Sequence, residues 1–129
     1  MQVRNLMKVP VVAIEPGRSV REAAQLMQDN VIGSVVVQDG GRTVGIMTER
    51  DVLRAVAEGR DVEQTSVNDL MTKNLVTSGP NWDVVVAASV MTAHRIRHLV
   101  VQHEDRVVGV LSLRDVLSTF LPEQVHEEA

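Results

Sequence analysis

Two seven-residue segments hold the side chains of this chain best suited to chemistry: Gly45-Ile46-Met47-Thr48-Glu49-Arg50-Asp51 and Gly109-Val110-Leu111-Ser112-Leu113-Arg114-Asp115. Each sets a hydroxyl three residues ahead of an aspartate. One reading is a helix cap, with Thr48 or Ser112 as N-cap and the aspartate at N3 reaching back to a free amide. That leaves the arginine unexplained. Arg50 and Arg114 would stand at N2, where the helix dipole disfavours a cation by about 0.3–1 kcal/mol. A local rule broken twice at the same place points to function, and an anion held by the helix N-terminus and the arginine would offset the penalty. The aspartate can also accept two hydroxyls at once, as carboxylates do with ribose diols. Hydroxyl, arginine and aspartate at a helix start thus describe a site for a phosphorylated sugar, against the simpler reading of a capped helix with an exposed arginine.

The two segments belong to a duplication. Shifted by 64 residues, Val3–Leu53 aligns without a gap on Val67–Leu117, with 20 identities in 51 pairs. Only two copies exist, so a pseudo-twofold pair is expected rather than a solenoid. In the first copy Val20, Ala23, Ala24 and Met27 fall on one helical face, with Ser19 as N-cap and Glu22 completing a capping box. The second copy repeats the stripe as Val84, Ala87, Ala88 and Met91, capped by Asp83. Each helix is followed by a β-branched run, a turn and a second apolar run, which predicts a hairpin. Asp39-Gly40-Gly41 marks the first turn, and Glu104-Asp105 gives a weaker signal for the second. A second helix follows at about 49–58 and about 113–121, with Gly59 and Pro122 placed to end them. The predicted class is α/β: two pseudo-twofold-related β-α-β-β-α units packed through their sheets, divided as 1–64 and 65–129, with Glu58–Ser66 as an exposed connector.

Composition narrows the function. The 129 residues include no cysteine, which excludes disulfide scaffolds, cysteine zinc sites and thiol nucleophiles and fits a reducing compartment. A net charge of -4 and an aromatic content of 2% argue against a nucleic-acid surface, even with Arg95, Arg97 and Arg106 nearby in sequence. No apolar stretch is long enough to span a bilayer, and no secretory signal is present, so the cytoplasm is the expected location. His94 and His98 are spaced as helical metal ligands can be, but lack the accompanying glutamate of a metalloprotease motif, so no metal site is expected. No nucleophile elbow is present, and an enzyme is not expected.

The duplicated order, the Leu-Met opening each copy, Pro16 and Pro80, and the Gly-x-x-Ser/Thr-x-x-Asp closing each apolar run resemble a tandem pair of CBS (cystathionine β-synthase) domains, a free-standing Bateman module, from about residue 3 to residue 121. The resemblance implies a non-catalytic regulatory module that binds an adenosyl ligand, AMP, ADP, ATP or S-adenosylmethionine, in two clefts between the paired units. It would report ligand state to an unknown effector protein in trans. The alternative within the family is a dimerisation scaffold that binds no nucleotide. One cleft would use Val110, Ser112, Arg114 and Asp115 with Arg97 and His98, faced by Arg18, Ala23 and Ile32. The other would use Ile46, Thr48, Arg50 and Asp51, faced by Trp82, Ala87 and Ile96. Gly33 and Ser34 stand where the second copy has Arg97 and His98, so phosphate is expected in the Asp115 cleft first. Trp82, Val85, Val86, Phe120 and Leu121 form an apolar cluster that implies a homodimer.

Overall fold

A computed structural model describes residues 1–121. The chain divides into two compact units, and each takes its opening segment from the other copy of the repeat. Val11–Leu75 forms a continuous unit, while Met1–Pro10 joins the chain from Val76 onward in a split unit.

The continuous unit contains β1 (Ala13–Ile14), α1 (Val20–Asn30), β2 (Ser34–Asp39), β3 (Arg42–Thr48), α2 (Glu49–Ala57) and α3 (Val67–Leu70). Its sheet runs β1-β2-β3, with β1 parallel to β2 and β2 antiparallel to β3. Ser19 caps α1 by accepting a bond from the Glu22 amide. The Glu22 side chain turns instead to Arg18, 3.5 Å away, so the expected capping box is only half formed. Met27 and Val20 on α1 meet Val35 and Val37 of β2, Met47 of β3 and Ala55 of α2 in one apolar cluster. Full burial of such side chains contributes about 1.5–3 kcal/mol each. The segment after α2 turns at Gly59, whose φ of 73° suits a residue without Cβ. It then returns to α1, where the Val20 and Arg21 amides donate to Thr65 and Val62. Arg21 also pairs with Glu63 at 3.0 Å.

The split unit repeats this plan with a 3-10 turn at Val3–Asn5, β4 (Thr77–Ser78), α4 (Val84–Ala93), β5 (His98–His103), β6 (Arg106–Ser112) and α5 (Leu113–Ser118). Asp83 caps α4 through the Val85 amide. Val84, Ala87 and Met91 close over Leu99, Val101, Leu111 and Val116, with Val3 from the opening segment. The second hairpin turn forms without glycine: Glu104 and Asp105 adopt φ of 50° and 64°, as Gly40 and Gly41 do at 58° and 82°. Helix α5 stops at Ser118, three residues short of the expected end. The Ser118 and Thr119 hydroxyls donate to the carbonyls of Asp115 and Val116, competing with continuation of the helix. Pro122 lies outside the described residues.

What joins each opening segment to its hairpin is a missing side chain. A Cβ on Gly45 would lie 2.8 Å from both the Met71 sulfur and the Thr72 carbonyl oxygen, and one on Gly109 would lie 2.7 Å from the Met7 sulfur. The close approach lets Ile46 and Thr72 exchange backbone bonds of 2.8 and 3.0 Å, and Lys8 donate to Val110 at 2.8 Å. Gly45→Ala and Gly109→Ala therefore each lower stability by about 1–3 kcal/mol, because the new methyl meets the Thr72 carbonyl in one strand and the near end of the Met7 side chain, with Cγ at 2.8 Å and Cβ at 3.1 Å, in the other. Urea midpoints of the two variants test this; an unmoved midpoint in either contradicts it.

Candidate functional site

Both motif aspartates sit where a strand runs into a helix. Register brings the strand entering each hairpin beside that junction: Ser34 pairs with Thr48 and His98 with Ser112. The Glu49 amide donates to the Gly33 carbonyl at 3.0 Å, and the Leu113 amide to the Arg97 carbonyl at 2.8 Å. The structure thus assembles Arg97, His98, Ser112, Arg114 and Asp115 in the split unit. Their counterparts Gly33, Ser34, Thr48, Arg50 and Asp51 assemble in the continuous one.

The two aspartates are used differently. Asp51 is buried, at 3% exposure, and its Oδ2 accepts from the Thr48 amide at 2.9 Å, the Thr48 hydroxyl at 3.2 Å and the Thr72 hydroxyl at 3.5 Å. Arg54 approaches Oδ1 at 3.4 Å while also donating to the Leu70 carbonyl. This is a completed capping box with every oxygen engaged. Asp115 forms only half of one. Its amide donates to the Ser112 hydroxyl at 3.1 Å, but its Oδ2 is buried and accepts no hydrogen bond from any described residue. Lys8 brings its Nζ to 3.9 Å from that oxygen. A buried acceptor left open costs free energy unless something donates to it, so the split unit holds the carboxylate that is ready for an added hydroxyl.

Arg50 and Arg114 occupy N2 of α2 and α5 as expected, and both are exposed. Arg97 is exposed and His98 half-buried. Ala23 and Ala87 lie fully buried in the apolar clusters, and Ile32 and Ile96 are partly buried against them. Ile46 is buried and Val110 half-buried on the strands leading to the aspartates. Trp82 is 38% exposed, with its indole over Gly79. Arg18 is paired with Glu22 and borders an open groove of about 760 Å³ that also meets Glu15, Glu22 and Asp29. Three carboxylates around one arginine give this groove a negative potential. His94 closes α4 while His98 begins β5, so the two do not share a helix face. Among the described residues no group of three or more His, Asp or Glu stands together as a metal site would need, and no helix is long and apolar enough to cross a membrane.

Lys8 and Thr72 were not among the candidates that motif spacing selects. The signal lay in the duplication itself, since 8 and 72 are equivalent positions directly after the Leu-Met pair.

Comparison with known proteins agrees with this architecture. The CBS domain model matches residues 3–58 and 67–121, and the chain belongs to the CBS domain family as a tandem pair. It is 35% identical to the CBS domain-containing protein YhcV of Bacillus subtilis over 115 residues, spanning 88% of this chain and 81% of that one. CBS domain protein PAE2072 from Pyrobaculum aerophilum, solved in complex with AMP, matches with a TM-score of 0.84 and 31% identity over 99% of this chain and 97% of that one. The CBS domain pair of protein MJ0100, solved with 5′-methylthioadenosine and S-adenosyl-L-methionine, matches with a TM-score of 0.85 and 25% identity over 93% and 95% of the two chains.

The unequal use of the two aspartates has a thermodynamic consequence. Asp51→Ala removes a complete cap and a buried carboxylate that accepts from the half-buried Thr48 and from Thr72, and should cost about 2 kcal/mol. Asp115→Ala removes an unsatisfied oxygen and should cost less than about 1 kcal/mol. Thermal unfolding of both variants distinguishes them, and equal destabilisation would contradict the assignment.

Proposed function

We propose that this chain is a non-catalytic regulatory module for an adenosyl ligand, taking a phosphorylated adenosine of the AMP, ADP or ATP type in preference to S-adenosylmethionine at its Asp115 site. The observation that carries the reading is the buried Oδ2 of Asp115, which accepts no hydrogen bond from a described residue, beside a strand that opens at His98 directly after Arg97. Asp115 receives a ribose hydroxyl, Ser112 lies beside the sugar, and Arg97, His98 and Arg114 answer the phosphate, where charge-assisted bonds are the strong ones. The adenosyl ligands of the two similar solved pairs support the same class. The site around Asp51, with its carboxylate spent on its own helix and no counterpart of Arg97-His98, takes a less charged adenosyl compound or none.

The module acts in the cytoplasm, for which a cysteine-free sequence is suited. It passes ligand state to a second protein. Its own partner is a second copy of the chain, joined through the exposed Val85, Val86, Leu117, Phe120 and Leu121 of the split unit.

AMP at 100 times its dissociation constant should add about 2.7 kcal/mol to stability, visible as a rise in melting temperature that Asp115→Ala abolishes. Neither phosphate nor adenosine should be released from AMP or ATP. A melting temperature unmoved by AMP, ADP, ATP and S-adenosylmethionine alike would replace this reading with a ligand-free scaffold. Light scattering on a size-exclusion column should give twice the 14.2 kDa chain mass, and Val86→Asp should return it to the single mass. A wild-type mass of one chain at tens of micromolar would refute the dimer.

A further inference from the structure

Position 8 in the split unit and position 72 in the continuous unit are one site of the repeat, and each lies against the aspartate of its own unit. Thr72 is neutral and turns its hydroxyl to Asp51 at 3.5 Å. Lys8 brings a cation to the same place. Its backbone is held on β6 by the 2.8 Å bond from its amide to the Val110 carbonyl, and its Nζ stands 3.9 Å from Asp115 Oδ2. That distance gives charge attraction without a hydrogen bond. The Lys8 side chain is 61% exposed and that of Asp115 27%, so the ammonium can move while the carboxylate stays.

A carboxylate that accepts a ribose hydroxyl also repels any phosphate carried by the same ligand. In the continuous unit the charge of Asp51 is answered by Arg54, whose Nη2 also donates to the Leu70 carbonyl. In the split unit it is answered by Lys8, on a flexible stem with three rotatable donors. When a ribose hydroxyl takes Oδ2, the ammonium is released to whatever negative charge the ligand brings.

We infer that Lys8 is a specificity-determining residue, selecting a phosphorylated adenosine over the uncharged nucleoside at the Asp115 site. Thr72 gives the Asp51 site no such preference. The inference rests on the ligand reading above and adds a residue to it.

The test is titration calorimetry with AMP and with adenosine on the wild-type chain, on Lys8→Thr, which installs the residue found at position 72, and on Lys8→Arg. Wild type should bind AMP more tightly than adenosine. Lys8→Thr should weaken AMP about tenfold, leave adenosine within about twofold, and flatten the salt dependence of AMP binding. Lys8→Arg should keep the AMP preference. If Lys8→Thr keeps the wild-type ratio of the two affinities, or weakens both ligands equally, the role of Lys8 is overturned while the ligand reading stands. A wild-type chain that prefers adenosine overturns it too. If wild type binds neither compound, the ligand reading falls and this inference with it.

Discussion

Two strands of this protein carry glycine where almost any other residue would collide with the chain lying across them, and much of the structure follows from that contact. Gly109 admits Met7 and Gly45 admits Met71 at distances no Cβ would allow. The close approach extends each three-stranded sheet by a short backbone pairing, at Lys8 with Val110 and at Thr72 with Ile46. It also delivers Val3 to one apolar cluster, and Val67, Leu70 and Met71 to the other. A unit of roughly 60 residues is near the lower limit for a self-sufficient core, so these added side chains matter out of proportion to the length of the segments that bring them.

The same contact decides what each aspartate can do. Residues 8 and 72 are carried to the ends of β6 and β3 by the docked segments, and their chemistry differs. A threonine hydroxyl adds one more donor to a cap that is already closed, and Asp51 becomes part of the fold. A lysine offers charge at a distance, and the Asp115 oxygen stays open. Duplication therefore produced two copies of one motif in different states, one carboxylate closed into its own helix cap and one with an oxygen left open among the described residues. The exchange of Gly33-Ser34 for Arg97-His98 runs in the same direction, since it adds positive charge only where the carboxylate is available.

Other departures from local rule are shared by both copies or confined to one. Both first helices are followed by a left-handed residue that is not glycine, Val31 directly after α1 at φ 53° and Arg95 one residue beyond the His94 cap of α4 at φ 55°. For a β-branched valine this conformation carries strain. Ser78 is confined to one copy: it stands where the other has Ile14, and its buried hydroxyl finds no partner among the described residues. An unmet buried hydroxyl costs about 1–3 kcal/mol, and nothing in the structure explains its presence.

Much of the architecture was legible along the chain because it is local. The stripe Val20, Ala23, Met27 and its copy Val84, Ala87, Met91 place two helices by period alone. The β-branched runs place the hairpins, and Thr48 and Ser112 place the caps. Twenty identities in 51 pairs at one fixed shift announced the duplication. Helix ends were less legible, as at Ser118, where side-chain hydroxyls compete with the next turn, and at Glu22, where Arg18 competes for the carboxylate that would have closed the box. What spacing could not reveal was which opening segment meets which hairpin, and hence why Gly45 and Gly109 are glycines and why identical Arg-Asp pairs differ in availability. Those outcomes depend on contacts between residues distant in the chain, whose closure is governed by packing across the whole unit rather than by the pattern of neighbours. Asp51 and Asp115 have almost the same sequence around them. They part company where Arg54 of one copy is Ser118 in the other, and where Thr72 and Lys8 have been folded against them.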